Sequence, residues 1–357
     1  MAERKPSPLR LEPALRGGLY GLLAAALFGL SAPFAKRLLG ELSPQLLAGL
    51  LYSGAGLGLS AWRAVRGAPR EAALKRQDLP ALAGVLIAGG VIGPLLLLMG
   101  LSRVSGIVGS LLLNLEGPFT MLLALLLFGE HLGRYGAAAA TLIVAGAALL
   151  KLDPAPGSAD VPGMLAIGLA CLAWALDNNL TQRLSLRDPL AIVRIKTLAA
   201  GSFHLGLGLL LGGHLPGWRV CAAAMLLGLV SYGGSVVLDA HALRLVGAAR
   251  EAAYFASAPF VGALFSTVLL GESLRWADVI AMLAMALGVA TLLLERHSHW
   301  HEHEPLEHEH THLHDEHHQH AHPPGVAPGE PHSHPHRHGA LAHEHPHLPD
   351  AHHRHRH

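Results

Sequence analysis

The chain has 357 residues, 51% of them hydrophobic and 14% charged, with 26 Lys and Arg against 25 Asp and Glu. Mean hydropathy is +0.39 although the last sixty-odd residues (295–357) are almost wholly polar, so the apolar content is concentrated before Glu295. That concentration excludes an ordinary water-soluble domain, and a net charge of +1 gives no reason to expect a nucleic-acid partner.

Read from the N-terminus, residues 1–16 are basic and proline-containing and make a short leading segment. The apolar run after them is too long for a signal-peptide core and has no clear cleavage site, so it should stay as a membrane span. Runs of about 20 apolar residues are what a hydrocarbon core of about 30 Å asks of a helix. Such runs lie near 17–38, 44–65, 79–101, 104–128, 133–151, 162–182, 189–212, 218–244, 247–270 and 275–294. They are rich in Leu, Ala and Gly and lack period-two alternation, which argues against a barrel. The fold class expected is an all-α membrane protein of ten transmembrane helices, with an interfacial stretch from Arg66 to Asp78 and a Pro/Gly/Asp linker at Lys151–Val161.

Lysine and arginine bias orients the bundle. With the N-terminus inside, fourteen fall in cytoplasmic segments and six opposite, which predicts an inner-membrane protein with both termini in the cytoplasm. Cys171 and Cys221 lie within apolar runs without metal or redox spacing and read as small packing residues. The clustered glycines of the second, third and seventh spans read as close contacts between helices. No nucleophile–base constellation or nucleotide loop appears, so no enzyme is expected.

Ionisable and amide groups inside spans are costly and become candidates for substrate or coupling roles. In chain order these are Asn114 and Glu116 in the fourth span, beside Pro118, which frees a backbone carbonyl. Next come Asp177 and Asn178 in the sixth span, within the run Asp177-Asn178-Asn179. Asp239 and His241 follow late in the eighth, then Glu251 early in the ninth. Asp177, Asp239 and Glu251 are expected on the cytoplasmic side as a vestibule, with Asp239 and Glu251 placed to face each other. Asp239 and His241 are two apart and should point to different faces. The plainer readings stand beside these: a packing motif at Glu116, and interfacial acids paired with nearby arginines. His204 reads as a helix-packing residue; Arg194 and Lys196 lie early in the seventh span, where their stems can snorkel, though Lys196 is deep enough to pair with an intramembrane acid.

The chain also repeats itself. GPFTMLLALLLFGEHL from Gly117 to Leu132 matches APFVGALFSTVLLGESL from Ala258 to Leu274 at Pro-Phe and at Gly-Glu-x-Leu. Five spans per copy is an odd number, so the second copy must enter the membrane from the opposite side: two inverted five-helix repeats, 17–151 and 162–294. Leu115-Glu116-Gly117-Pro118-Phe119 with Gly129-Glu130, and APF with LLGE in the second half, resemble the EamA family of the drug/metabolite transporter superfamily. That resemblance implies ten helices, no ATP hydrolysis, no required cofactor, and export of small solutes by alternating access. Ser257 stands where the first copy has Glu116, so the two halves differ chemically.

Residues 295–357 form a histidine-rich tail holding 23 of the chain's 27 histidines. LEHEHTHLHDEHH from Leu306 recurs as LAHEHPHLPDAHH from Leu341, identical at nine of thirteen positions. Candidate metal ligands are His297, His299, His301, His303, His308, His310, His312, His314, His317, His318, His343, His345, His347, His352 and His353. Neutral imidazole suits Zn, Ni, Co or Cu(II), and a tail with so few apolar residues should be disordered without metal. Three functions follow: export of a divalent metal captured by the tail, export of an amino acid, metabolite or drug with the tail as sensor, or metal storage at the membrane. The expected partners are the lipid bilayer, the solute or metal ion, a coupling proton or ion, and a second copy in a homodimer.

Overall fold

In the computed structural model of the chain, residues 13–67, 72–128, 133–152, 160–184 and 187–292 are described, with the backbone of 297–303, 306–312, 332–338 and 341–347. Among the described residues seven helices are long and apolar enough to cross a membrane. They are Leu15–Leu38, Arg76–Leu101, Gly106–Leu127, Val161–Gln182, Pro189–Leu210, Trp218–Leu243 and Arg250–Leu269. The other three expected positions hold helices that fall short of that standard. Arg134–Leu149 and Trp276–Leu292 are apolar but shorter, and Pro44–Arg66 is diluted by Gln45, Ser53, Ser60, Arg63 and Arg66. Counted in chain order, these make ten helical segments.

Local chemistry sets where they start and bend. Ser43 Oγ accepts the Leu46 N–H at 3.3 Å and Asp188 Oδ1 accepts the Ala191 N–H at 3.0 Å, each just before a proline at the first helical position. The second and seventh segments therefore begin in the same way. Pro118 and Pro259 cannot supply the N–H that would continue a helix through them. The fourth segment accordingly passes through a 3-10 turn at Leu113–Leu115 before the helix Glu116–Phe128, and the ninth breaks between Ala248–Phe255 and Ala258–Leu269. The third and eighth segments each contain a π-helical turn, Leu86–Ile92 and Leu229–Gly234.

Two groups of three helices form the body. The sixth segment packs on the third and fourth, and the first packs on the eighth and ninth. Between the groups the second segment packs on the seventh and the fourth on the ninth, and the fifth pairs with the tenth. The second and eighth segments cross in close contact. A Cβ at Gly54 would fall 2.0 Å from the Met225 carbonyl oxygen, and one at Gly228 would fall 1.9 Å from that of Leu51. Both positions need glycine for the backbones to meet.

Beyond the tenth segment the described stretches of the tail are paired segments. Residues 297–303 pair antiparallel with 341–347, and 306–312 with 332–338. Histidine alternating with other residues has the period of two that a strand requires. The side chains of the tail's candidate ligands lie outside the described residues, and so do His314, His317, His318, His352 and His353 entirely.

Candidate substrate site between the helix groups

The π-turn of the third segment is where the polar groups of several helices meet. Widening a helix to i→i+5 bonding loosens its carbonyls for other partners, which is why such turns often stand at functional sites. The Gly89 carbonyl accepts hydrogen bonds from the Tyr52 hydroxyl at 3.1 Å and the Trp174 indole N–H at 3.2 Å. The next carbonyl, of Gly90, lies 3.1 Å from Nε2 of His204, whose Nδ1 is 2.9 Å from the Gln45 amide nitrogen. With the amide donating to Nδ1, His204 is the tautomer whose Nε2–H donates to Gly90. Donors from the second, sixth and seventh segments thus hold two adjacent carbonyls.

Against this turn lies an ion pair. Asp177 packs on the bare face of Gly89, where a Cβ would stand 1.9 Å from Oδ2. Lys196 Nζ meets that same Oδ2 at 2.7 Å, and the Thr181 hydroxyl donates to Oδ1 at 3.3 Å. Beside it, Glu116 Oε1 accepts from the Asn178 amide at 2.7 Å. The site therefore offers carboxylates from the fourth and sixth segments and an ammonium from the seventh. Asn179 is used structurally, donating to the carbonyls of Ala175 at 2.8 Å and Thr120 at 3.2 Å. Tyr52 continues into an aromatic group, its ring 5.7 Å from that of Tyr232, which in turn is 5.8 Å from Phe28.

The sequence candidates divide among three places. Glu116, Asp177 and Asn178 come together as described. Asn114, two residues before Glu116, faces elsewhere: its amide donates to the Leu111 carbonyl at 3.0 Å and approaches the Met285 sulfur at 3.6 Å. Asp239 and Glu251 face each other across the turn between the eighth and ninth segments, where Asp239 Oδ1 and Glu251 Oε1 are buried without a hydrogen-bond partner among the described residues. His241 points away from them, exposed, with Nδ1 on the Val237 carbonyl at 2.6 Å and its ring edge against Tyr20. Sequence reasoning allowed Lys196 either to snorkel or to pair with an intramembrane acid, missed Tyr52, and took His204 for packing alone. Among the described residues no group of three or more His, Cys, Asp and Glu is placed to hold a metal ion.

The chain is similar to known proteins. The profile of the EamA-like transporter family matches twice, over residues 15–152 and 161–294. An uncharacterized transporter of Methanothermobacter thermautotrophicus is 30% identical over 293 residues, covering 77% of this chain and 85% of that protein. A solved structure, described as the crystal structure of a protein, superposes with a TM-score of 0.60 at 21% identity. It covers 78% of this chain and 96% of the other, and shares the fold.

Proposed function

The chain belongs to the EamA-like transporter family, and we propose that it exports a small zwitterionic organic solute, of the amino-acid class, bound at Glu116, Asp177 and Lys196. The observation that carries this reading is the 2.7 Å pair of Lys196 and Asp177 beside the glycine turn. Two buried charges hold each other at a heavy desolvation cost, and neither can be left alone. A zwitterion can replace both partners at once, its ammonium at Asp177 and its carboxylate at Lys196. Glu116 and Asn178 then add a second acceptor and a neutral donor. A bare divalent cation would meet an ammonium at the same place.

Ten crossings in two inverted repeats, with both termini cytoplasmic, complete the proposal. Its support is the double family match and a packing scheme whose main contacts recur five segments on, the first on the eighth and ninth as the sixth on the third and fourth. The coupling ion is a proton carried by Asp239 and Glu251, since two carboxyl groups buried close together, each with an oxygen unpartnered among the described residues, disfavour a second negative charge. The histidine tail binds divalent transition metal and reports its level to the transporter. A second reading, in which Zn, Ni or Co is the cargo, is favoured by the tail's repeated histidine frame alone.

Proteoliposomes holding the full chain and loaded with the twenty protein amino acids separate these readings, with Zn, Ni and Co tested in parallel. Efflux of one or more amino acids that is lost in Lys196→Met is expected. Metal flux without amino-acid flux would replace the first reading with the second.

A further inference from the structure

The glutamate of the second Gly-Glu motif has a task that the motif does not announce. Glu272, in the turn after the ninth segment, receives the N–H of Gly106 on Oε1 at 2.7 Å and that of Ile107 on Oε2 at 2.9 Å. These are free N–H groups at the start of the fourth segment, where an anion is favoured. On the other side of the same turn, Lys36 at the end of the first segment donates to the carbonyls of Leu101 and Val104. The turn from Leu101 to Ile107 is thus held between an anion and a cation. Both come from the group of helices formed by the first, eighth and ninth segments. The turn belongs to the other group. Besides the pairing of the second with the seventh and the fifth with the tenth, these bonds tie the groups together at this end.

Packing follows the same division. Here Ser31–Leu38 lies against the third and fourth segments, and Gly106–Leu112 lies against Ala258–Leu269. A Cβ on Gly106 would meet Leu270 at 2.6 Å and Ser266 at 2.6 Å, and one on Gly262 would meet Ser110 at 2.8 Å. At the opposite end the corresponding partners are Glu116–Phe128 and Ala248–Phe255, which have no packing of that extent among the described residues. The molecule is therefore shut at the Glu272 end and looser at the end where Asp239 and Glu251 meet.

We propose that Glu272 and Lys36 are the latch of a gate, bonded to the Leu101–Ile107 turn while that mouth is shut and released when it opens. The proposal rests on the transporter reading, because only a protein that alternates between two mouths needs a bond that both holds and lets go. A carboxylate and an ammonium on backbone groups suit this, since water can replace either one when the mouth opens. The counterpart, Glu130 of the first Gly-Glu motif, lies outside the described residues.

The test needs no substrate. In the full-length chain carrying Cys171→Ala and Cys221→Ala, nitroxides at Ser102→Cys and Ser273→Cys report the distance across this mouth by pulsed electron resonance in liposomes. The unaltered latch should give one dominant short distance. Glu272→Gln and Lys36→Met should each add a longer population, and whichever variant keeps its fold decides the matter. If the folded variants keep the single short distance, Glu272 is a static helix cap and the latch is wrong. Loss of solute flux with the longer population present would instead count against the substrate reading and leave the latch standing.

Discussion

Lys196 and Asp177 meet at 2.7 Å between the seventh and sixth segments, with side chains only 17% and 6% exposed. Removing one partner of such a pair strands the other without water or counter-charge, at a cost of about 3 kcal/mol or more. Lys196→Met should therefore lower the unfolding temperature in detergent clearly. The double variant Asp177→Asn/Lys196→Met should recover most of that loss, because no lone charge remains. Transport should stay absent in both. A double variant that still carried solute would remove the pair from the binding site.

Gly89 faces the same carboxylate from the other side. Gly89→Ala places a methyl group 1.9 Å from Asp177 Oδ2 and 2.2 Å from Cγ, so the acid must turn away from Lys196. Solute efflux should fall by at least tenfold in proteoliposomes. Gly206→Ala is the matched control, with nothing within 4 Å of the new methyl. It should transport normally and gain up to about 1 kcal/mol from better helix propensity.

The amino-acid order made part of this legible. The depth of Lys196 in an apolar span made pairing with an acid readable beside snorkelling, although its choice of Asp177 was not. Proline at 118 announced a break in the fourth segment because the missing N–H is a covalent fact. The same fact at Pro259 went unread in a span expected to run unbroken from 247 to 270. The π-turn at Leu86–Ile92 left no trace, since a shift from i→i+4 to i→i+5 bonding requires no particular residue type. His204 read as packing for a different reason: its partners, Gln45 and Gly90, are 159 and 114 residues away in the chain. Glu272 was visible only as a family mark, with its bond to Gly106 spanning 166 residues. Asn114 and Glu116 looked like neighbours in one site, and the 3-10 turn between them sends the amide towards Met285.

His204 offers a direct check on the π-turn. It is completely buried and joins the Gln45 amide to the Gly90 carbonyl. His204→Leu keeps the volume roughly but leaves two polar groups without partners, at a cost of about 1–3 kcal/mol for each that stays dry. Thermal unfolding should register the loss. Tryptophan emission in a chain that retains only Trp174 should also shift, because the Trp174 N–H is bonded to the neighbouring Gly89 carbonyl. An unchanged spectrum would mean that the turn holds without His204.

The tail can be separated from the body by cutting the chain after Glu295. Imidazole binds metal only when neutral, and its reference pKa is about 6.5. Zinc binding by the full chain should therefore be complete above that pH and fall away as the solution is acidified, because protons and metal compete for the same nitrogens. The truncated chain should bind no comparable number of zinc ions at any pH, since the described helical residues hold no cluster suited to a metal. Its amino-acid efflux should persist without zinc and should lose any response to added zinc. That pair of results would make the tail a sensor. Amino-acid efflux that disappears with the tail, at every zinc concentration, would mean that the tail belongs to the transport path, and metal as cargo would become the better reading.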